Sequence, residues 1–432
     1  MRKVLMIILD GLGDRPCRGL GWLTPLQAAE VPSLDLMASK GLTGLLHPVD
    51  VGVPPGSDTG HLSIFGYDVS KEYPGRGVLE ALGEGVDLGE GVAFRANFAT
   101  VKQVNGKLVV IDRRAGRISG KDAEELAKEI DEMYLLNGEV KAEFRHTLEH
   151  RGFLVLRGEG LHPEVTDADP HEVGYPVIEP QPLINRAEKT AKAISEFLRE
   201  VYMRLKDHEV NKRRESEGKP PANIVLPRGG SSKVSLESFQ DRWGFRPAAV
   251  AASPLYKGVA RALGFDVYHP PGATGLPDSD FDAKVRKAID LLGEYDFVFV
   301  HVKGTDTASH KRDPELKKRV IERVDLALER LVDPPEDLLI VITGDHSTPS
   351  ELGKHTGDPV PILFYGKGLR RDDVPNFDEM SVILGALGHV RGREVMPIVL
   401  NLSDRALEYG LRPTPKALRY VPKESDLKPF RV

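Results

Sequence analysis

Five short stretches of this sequence carry side chains that could hold metal ions or attack an ester. They are Asp10, Ser57, Asp306 with His310, Asp345-His346, and His355, nine residues beyond His346. Carboxylate and imidazole donors together suit Zn, Mn and related ions better than Ca. Asp306 and His310 are four residues apart, so on a helical turn they share a face and can reach one ion. Asp345 and His346 are adjacent. In extended chain they would point apart, and they can serve one ion only where the backbone turns. Ser57 follows Pro54-Pro55-Gly56 and precedes Asp58-Thr59-Gly60-His61. A helix starting there would aim N–H groups and the positive end of its dipole at a phosphate on the hydroxyl. A metal beside that hydroxyl would lower its pKa and make it a nucleophile. Taken singly, each Asp could be a helix cap, Ser57 an N-cap, and each His, His61 included, a packed residue. Two divalent metals and a serine nucleophile are the simplest chemistry that uses them all.

Such a set needs a scaffold that brings distant segments together. Non-alternating apolar runs at Val4–Leu9, Ala248–Ala251, Phe297–Val302, Leu338–Thr343 and Ile362–Tyr365 predict buried parallel strands. Helical patterns fall between them at Leu34–Ser39, Tyr256–Leu263, Phe281–Leu292, Glu315–Leu331 and Glu379–Leu387. The alternation predicts an α/β doubly wound sheet, whose ligands gather beyond the carboxyl ends of the strands. Asp10, Asp306 and Asp345 each follow such a run, and His355 lies in the loop before the next.

The middle of the chain follows another pattern. Phe94–Val101, Leu108–Asp112 and Phe153–Arg157 predict strands, the first two joined by a turn at Asn105-Gly106. Lys121–Leu135 and the stretch from Ile184 to about Val210 predict helices, and Asn211–Ala222 a polar linker. We therefore expect a discontinuous main domain, residues 1–80 and 221–432, with a smaller α+β domain, 81–220, inserted.

Composition narrows the function classes. The chain has 432 residues, 40% of them hydrophobic, and a net charge of −6, so no global charge points to nucleic acid or a membrane surface. One cysteine, Cys17, excludes an internal disulfide and fits a reducing cytoplasm. The run Val4–Leu9 is too short for a signal peptide and ends in Asp10, and no segment approaches a membrane span. Scarce Gln with plentiful Glu, Lys, Arg and Pro suggests heat adaptation, for which a homo-oligomer is plausible. His146 and His150 have the spacing of a helical metal pair but lack a third ligand. Lys212-Arg213-Arg214 reads as a solvated linker face, and Gly83, Gly85, Gly89 and Gly91 make no nucleotide fingerprint.

LDGLGD at Leu9–Asp14, PPGSDTGHLSIFGYD at Pro54–Asp68, KGTDTASH at Lys303–His310, TGDHSTP at Thr343–Pro349 and KHTGDPVPI at Lys354–Ile362 resemble one family. So do VIDRRAGRI at Val110–Ile118 and PPANIVLPRG at Pro220–Gly229. The family is the archaeal-type cofactor-independent phosphoglycerate mutases of the alkaline phosphatase superfamily. The resemblance implies an alkaline-phosphatase-like α/β fold with an inserted α+β domain. It also implies one metal on Asp306, His310 and His355, and a second on Asp10, Ser57, Asp345 and His346, with Ser57 as nucleophile. The ions would be Mn, Mg, Co or Zn, with no 2,3-bisphosphoglycerate.

A mutase must keep glycerate while its phosphate is on the serine, which calls for a dry pocket under a lid, here the inserted domain. Arg113, Arg114 and Arg117 are candidates to grip carboxylate and phosphate. Asp112 is a candidate to move protons between hydroxyls. Lys257 resembles a family lysine that contacts phosphate, and Asp167, Asp169 and His171 have no assigned chemistry. The substrate expected is phosphoglycerate. A phosphomonoesterase or another sugar-phosphate mutase would keep the metals and Ser57, and a non-catalytic metal scaffold would have no need of the serine.

Overall fold

The computed structural model describes residues 1–232 and 236–430, which fall into two compact units: Met1–Tyr73 with Leu236–Val432, and Pro74–Ser235. The division lies earlier and later than residues 80 and 220 for a packing reason. Helix Arg76–Gly83 packs Val78 and Ala81 against Ala93 and Phe153, and strand Ile224–Ser232 hydrogen-bonds along strand Val92–Val104. Both therefore belong to the second unit.

The first unit is built on eight strands. From one edge they are Asp266–Tyr268, Pro247–Val250, Phe297–Val302, Lys3–Leu9, Leu338–Thr343, Val360–Tyr365, Leu42–His47 and His389–Arg391. The pairing is parallel except on both sides of Val360–Tyr365, which runs against its neighbours. This corrects the expectation that all apolar runs are parallel. A strand buried on both faces reads as a continuous apolar run in either direction, so composition carries no sense of polarity. The reversal matters: the amino end of Val360–Tyr365 lies at the same edge as the carboxyl ends of its neighbours. His355, just before it, is thereby returned to the edge that carries Asp10 and Asp345.

One face of this sheet buries Leu5, Ile7, Val298, Val300, Ile340 and Ile342 against helices Pro32–Ser39, Phe281–Leu291 and Pro314–Leu328. On the other, Phe65, Phe239, Phe265, Phe297 and Phe299 stack at ring distances of 4.7 to 6.4 Å. The helix expected at Glu379–Leu387 is only a 3-10 turn, Ser381–Leu384. Glu379 is diverted into the interior, where it bonds Thr24 and the Asp14 amide.

The second unit is an antiparallel sheet around Val92–Val104, paired with Lys107–Asp112, Arg151–Arg157 and Ile224–Ser232, and extended by Val140–His146 and Glu132–Leu135. Asn105 and Gly106, both at positive φ, make the expected hairpin turn. Helix Glu188–Leu205 buries Ala191, Ile194, Leu198, Val201 and Leu205 as its periodicity predicts. Three local expectations change. Lys121–Leu135 is a helix only through Glu129, then strand Glu132–Leu135. His146 and His150 lie at strand ends, not on a helix. Residues 211–216 continue a helix, Glu209–Ser216, rather than a linker. There Asn211 is buried between the carbonyls of Leu205 and Ala222, and Arg214 is buried against Asp122 and the carbonyls of Ala115 and Pro220.

Candidate active site

The carboxyl-end edge of the first unit's sheet collects the candidates from separate segments. Asp10 follows strand Lys3–Leu9, Asp306 sits in helix Gly304–His310 after Phe297–Val302, and Asp345 and His346 follow Leu338–Thr343. Ser57 opens helix Ser57–Ile64, the start the sequence allows for, and Gly56 rather than Ser57 holds the N-cap position. Gly60 is required on that helix: a Cβ there would stand 2.4 Å from the Asp345 carbonyl oxygen. The chain bends at both Asp345 and His346, which lets the two neighbours face one centre.

The distances define two overlapping groups. Asp10, Asp345 and His346 offer ligand atoms within 4.8 Å of one another, and so do Asp306, His346 and His355. His346 Nε2 lies 3.2 Å from Asp10 Oδ1, 3.4 Å from Asp345 Oδ2 and 3.1 Å from Ser57 Oγ. Asp306 Oδ1 lies 3.3 Å from His310 Nε2 and 3.6 Å from His355 Nε2. The family resemblance implies two separate sets, whereas in the structure His346 stands between them, its ring stacked on His355 at 3.6 Å. Seven predicted residues thus come together: Asp10, Ser57, Asp306, His310, Asp345, His346 and His355.

The donor chemistry fits divalent cations. His310 and His355 each face a backbone carbonyl through Nδ1, that of Gly353 and of Pro55, both at 2.9 Å. That fixes the proton on Nδ1 and leaves Nε2 a lone pair toward Asp306. A lone pair against a carboxylate oxygen is repulsive unless a cation or proton sits between. Asp10 Oδ1 and Asp345 Oδ2 are fully buried with no hydrogen-bond partner, a cost that a bound cation removes.

Several residues that spacing did not reveal surround the cluster. Lys303 Nζ bonds Asp10 Oδ2 at 3.0 Å and Asp306 Oδ2 at 2.6 Å. Burial opposes its charge, but the two carboxylates hold its pKa well above the ordinary lysine value. Burial pushes the Asp10 and Asp306 carboxyls up most, but Lys303 together with the neighbouring histidines, His301 and His346 for Asp10 and His355 and His346 for Asp306, outweighs it, so both stay well below the usual range. Tyr256 and His301 also bond Asp10 Oδ2. Thr348 Oγ1 links Asp306 Oδ1 at 3.1 Å to His346 Nδ1 at 2.8 Å. A histidine inside the apolar strand FVFVHV, one residue from its end, and a lysine directly after the strand were the available signals. His61 lies at the cluster's base, its Nδ1 2.7 Å from the Ser57 carbonyl and 3.2 Å from Asp345 Oδ2. Lys257 is half-buried on helix Pro254–Ala262, and it is its neighbour Tyr256 that reaches the cluster.

The arginine turn belongs to the second unit. Asp112 accepts the Arg114 amide at 2.8 Å and the Gly116 amide at 2.7 Å, so its carboxylate closes the turn. Ala115, Gly116 and Arg117 all have positive φ, a strained run that exposes Arg114 and Arg117. Arg113 makes a fork to buried Asp169, with Nε 3.0 Å from Oδ1 and an Nη 2.7 Å from Oδ2. Asp169 also pairs with Arg228, while Asp167 bonds His171 and the Gly229 amide. The unassigned acidic stretch is therefore an arginine holder. Nearby, Arg95 Nε and His150 Nδ1 are buried without hydrogen-bond partners. Burial, then repulsion from Arg76, Arg228 and Arg151, brings Arg95 down to about 9. Burial and the charges of Arg151, Arg114, Arg95 and Arg117 push His150 down to about 3. Glu80, 3.8 Å from Arg95 Nε, offsets part of this charge, and the excess of arginines over acids here favours an anion.

Residues 38–211 match the family model described as 2,3-bisphosphoglycerate-independent phosphoglycerate mutase. A curated protein of that name from Ignicoccus hospitalis is 49% identical over 94% of this chain and 99% of its own length. Another, from Pyrococcus furiosus, is 46% identical over 95% of this chain and 99% of its own. Among solved structures, a Pyrococcus horikoshii protein is similar with a TM-score of 0.81 and 39% identity, over 95% of this chain and 99% of that one. The cofactor-independent phosphoglycerate mutase from Thermoplasma acidophilum has a TM-score of 0.69 at 39% identity, over 93% and 100%.

Proposed function

This chain belongs to the 2,3-bisphosphoglycerate-independent phosphoglycerate mutase family, and on that premise we propose that it interconverts 3-phosphoglycerate and 2-phosphoglycerate through a phosphorylated Ser57. The observation that carries the mechanism is the convergence of seven ligand-type side chains from separate segments at one sheet edge, with Ser57 Oγ 3.1 Å from His346 Nε2 among them.

Two divalent ions, of Mn, Mg, Co or Zn, would be held by Asp306, His310 and His355 and by Asp10, Ser57, Asp345 and His346. When bound they would acidify the serine hydroxyl and neutralise charge on the phosphoryl group. Ser57 Oγ forms the new bond to phosphorus as the bond from phosphorus to the glycerate O3 breaks, and O3 takes up a proton. The retained glycerate then presents its C2 hydroxyl, which loses a proton, bonds to the same phosphorus and releases Ser57. The N-terminal turn of helix Ser57–Ile64 points its amides toward the phosphoseryl oxygens and favours their charge. Lys303 supplies a further positive charge beside the reacting group.

We assign the grip on glycerate to the second unit. Arg114 and Arg117 extend from the strained turn, Arg95 and Arg151 add charge beside His150, and Arg113 braces the turn through Asp169. Lys257 is a further candidate phosphate contact. Water is the competing acceptor for the phosphoserine, so retention of glycerate decides between mutase and phosphatase.

The test is an assay with 3-phosphoglycerate and Mn²⁺, without bisphosphoglycerate, following 2-phosphoglycerate and free phosphate together. Rapid 2-phosphoglycerate with little phosphate is the expected result, and Ser57→Ala should abolish it. Phosphate as the sole product would make this a phosphomonoesterase and sink the mutase reading.

A further inference from the structure

We infer that Tyr256, with His301, is a positioning residue that fixes the Asp10 carboxylate for the ion it shares with Asp345 and His346, an inference that rests on the two-ion reading above. The two oxygens of Asp10 have opposite surroundings. Oδ2 accepts from the Tyr256 hydroxyl, from His301 Nε2 at 3.0 Å and from Lys303 Nζ at 3.0 Å. Oδ1 is just as buried, accepts no hydrogen bond, and lies 3.2 Å from His346 Nε2. Three donors on one oxygen fix the rotation of the carboxylate, so the oxygen without a donor must face the cluster.

The three donors are not equivalent. Lys303 also bonds Asp306, so it acts on both groups of ligands. Tyr256 and His301 bond only Asp10 among the candidate ligands. Their rings stack at a centroid distance of 3.4 Å with 21° between planes, and His61 packs 5.1 Å from Tyr256. Both are fully buried, so neither has freedom to follow Asp10 if it rotates. The imidazole N–H and the phenol O–H orient the carboxylate through hydrogen bonds to Oδ2 alone, which leaves Oδ1 free to act as the ligand. Such partners behind a metal ligand typically contribute 10–100-fold in metal affinity.

Because Tyr256 touches one ligand group alone, its loss should be felt by one ion alone. Tyr256→Phe keeps the ring and the stack on His301 and deletes only the hydroxyl. The measurement is calorimetric titration of Mn²⁺ into the metal-free protein, beside thermal unfolding of the same samples. Wild-type protein should bind two ions; fewer than two would overturn the two-ion reading and this inference with it. With two ions in the wild type, the variant should bind one of them roughly 10–100-fold more weakly and the other unchanged. The same loss should appear in an Asp306→Asn background, where the Asp10 group remains. The unfolding temperature of the metal-free variant should match the wild type. Two unchanged affinities would overturn the inference. So would equal weakening of both ions with a fall in unfolding temperature, which would mean that Tyr256 only holds the fold.

Discussion

Whether a histidine is a ligand or a packed residue is decided here by what its other nitrogen touches. His310 and His355 are tied through Nδ1 to backbone carbonyls, so each presents Nε2 in one tautomer to Asp306. His61, for which the sequence leaves site and packing roles equally open, is tied through Nδ1 in the same way to the Ser57 carbonyl, but its Nε2 meets no carboxylate and its ring lies among Phe65, Tyr256 and Phe299. Asp112 makes the same point for carboxylates. Its oxygens accept two backbone amides of the arginine turn, a reason for Asp that needs no proton transfer. Asp112→Asn should therefore raise KM for 3-phosphoglycerate several-fold by loosening the turn, with kcat within a few-fold of wild type. Steady-state kinetics check this, and a collapse of kcat at unchanged KM would restore the proton-carrying role. The candidate ligand residues were legible as a cluster because metal chemistry restricts their types and strand ends restrict their places. Tyr256, Lys303 and Arg95 were not, since a tyrosine, a lysine or an arginine has many ordinary uses and only its neighbours distinguish them.

Among the elements, strands and the loops at their carboxyl ends carry the site, and one helix secures those loops. Lys317, on Pro314–Leu328, has no exposed surface and bonds Asp14 at 2.9 Å, the Gly13 carbonyl at 3.1 Å and the Thr348 carbonyl at 3.3 Å. Asp14 in turn accepts the Ser350 amide and hydroxyl. The helix thus clamps the segment after Asp10 to the segment after His346. Lys317→Met would leave the Asp14 charge buried without its cation and should cost roughly 3–5 kcal/mol of stability, read as a lower urea midpoint at unchanged slope. A loss below about 1 kcal/mol would deny the clamp. Buried strands and amphipathic helices were readable because burial leaves a continuous or a 3.6-residue apolar pattern. Leu42–His47 was missed, for LTGLLH is short and broken by glycine, and the direction of Val360–Tyr365 has no compositional trace. Asn211 and Arg214 look like linker residues by type, and only their buried partners show otherwise.

For the molecule as a whole, two units with separate cores fold from one chain, and pH acts on a few buried groups. Glu379, in the first unit, is fully buried, and burial raises its pKa from 4.5 to about 7 against the opposing bond from Thr24. Between those values the folded state holds a proton that the unfolded state has lost. Stability therefore falls as pH rises from 4.5 to 7, by about 3 kcal/mol, and is level in this group's contribution above 7. Glu379→Gln, which mimics the protonated form, should raise the unfolding temperature at pH 8 and leave it little changed at pH 4.5; equal shifts at both would contradict the assignment. Among the described residues no helix is long and apolar enough to cross a membrane. The central claim concerns Ser57, and it is tested most directly by mixing the Mn²⁺-loaded protein with 3-phosphoglycerate, quenching in acid within milliseconds, and mapping phosphopeptides. Phosphate on the peptide bearing Ser57, formed without bisphosphoglycerate, discharged by glycerate to 2-phosphoglycerate and absent from Ser57→Ala, is the predicted result. Rapid formation of 2-phosphoglycerate by Ser57→Ala, with no phosphoprotein at any time, would contradict it.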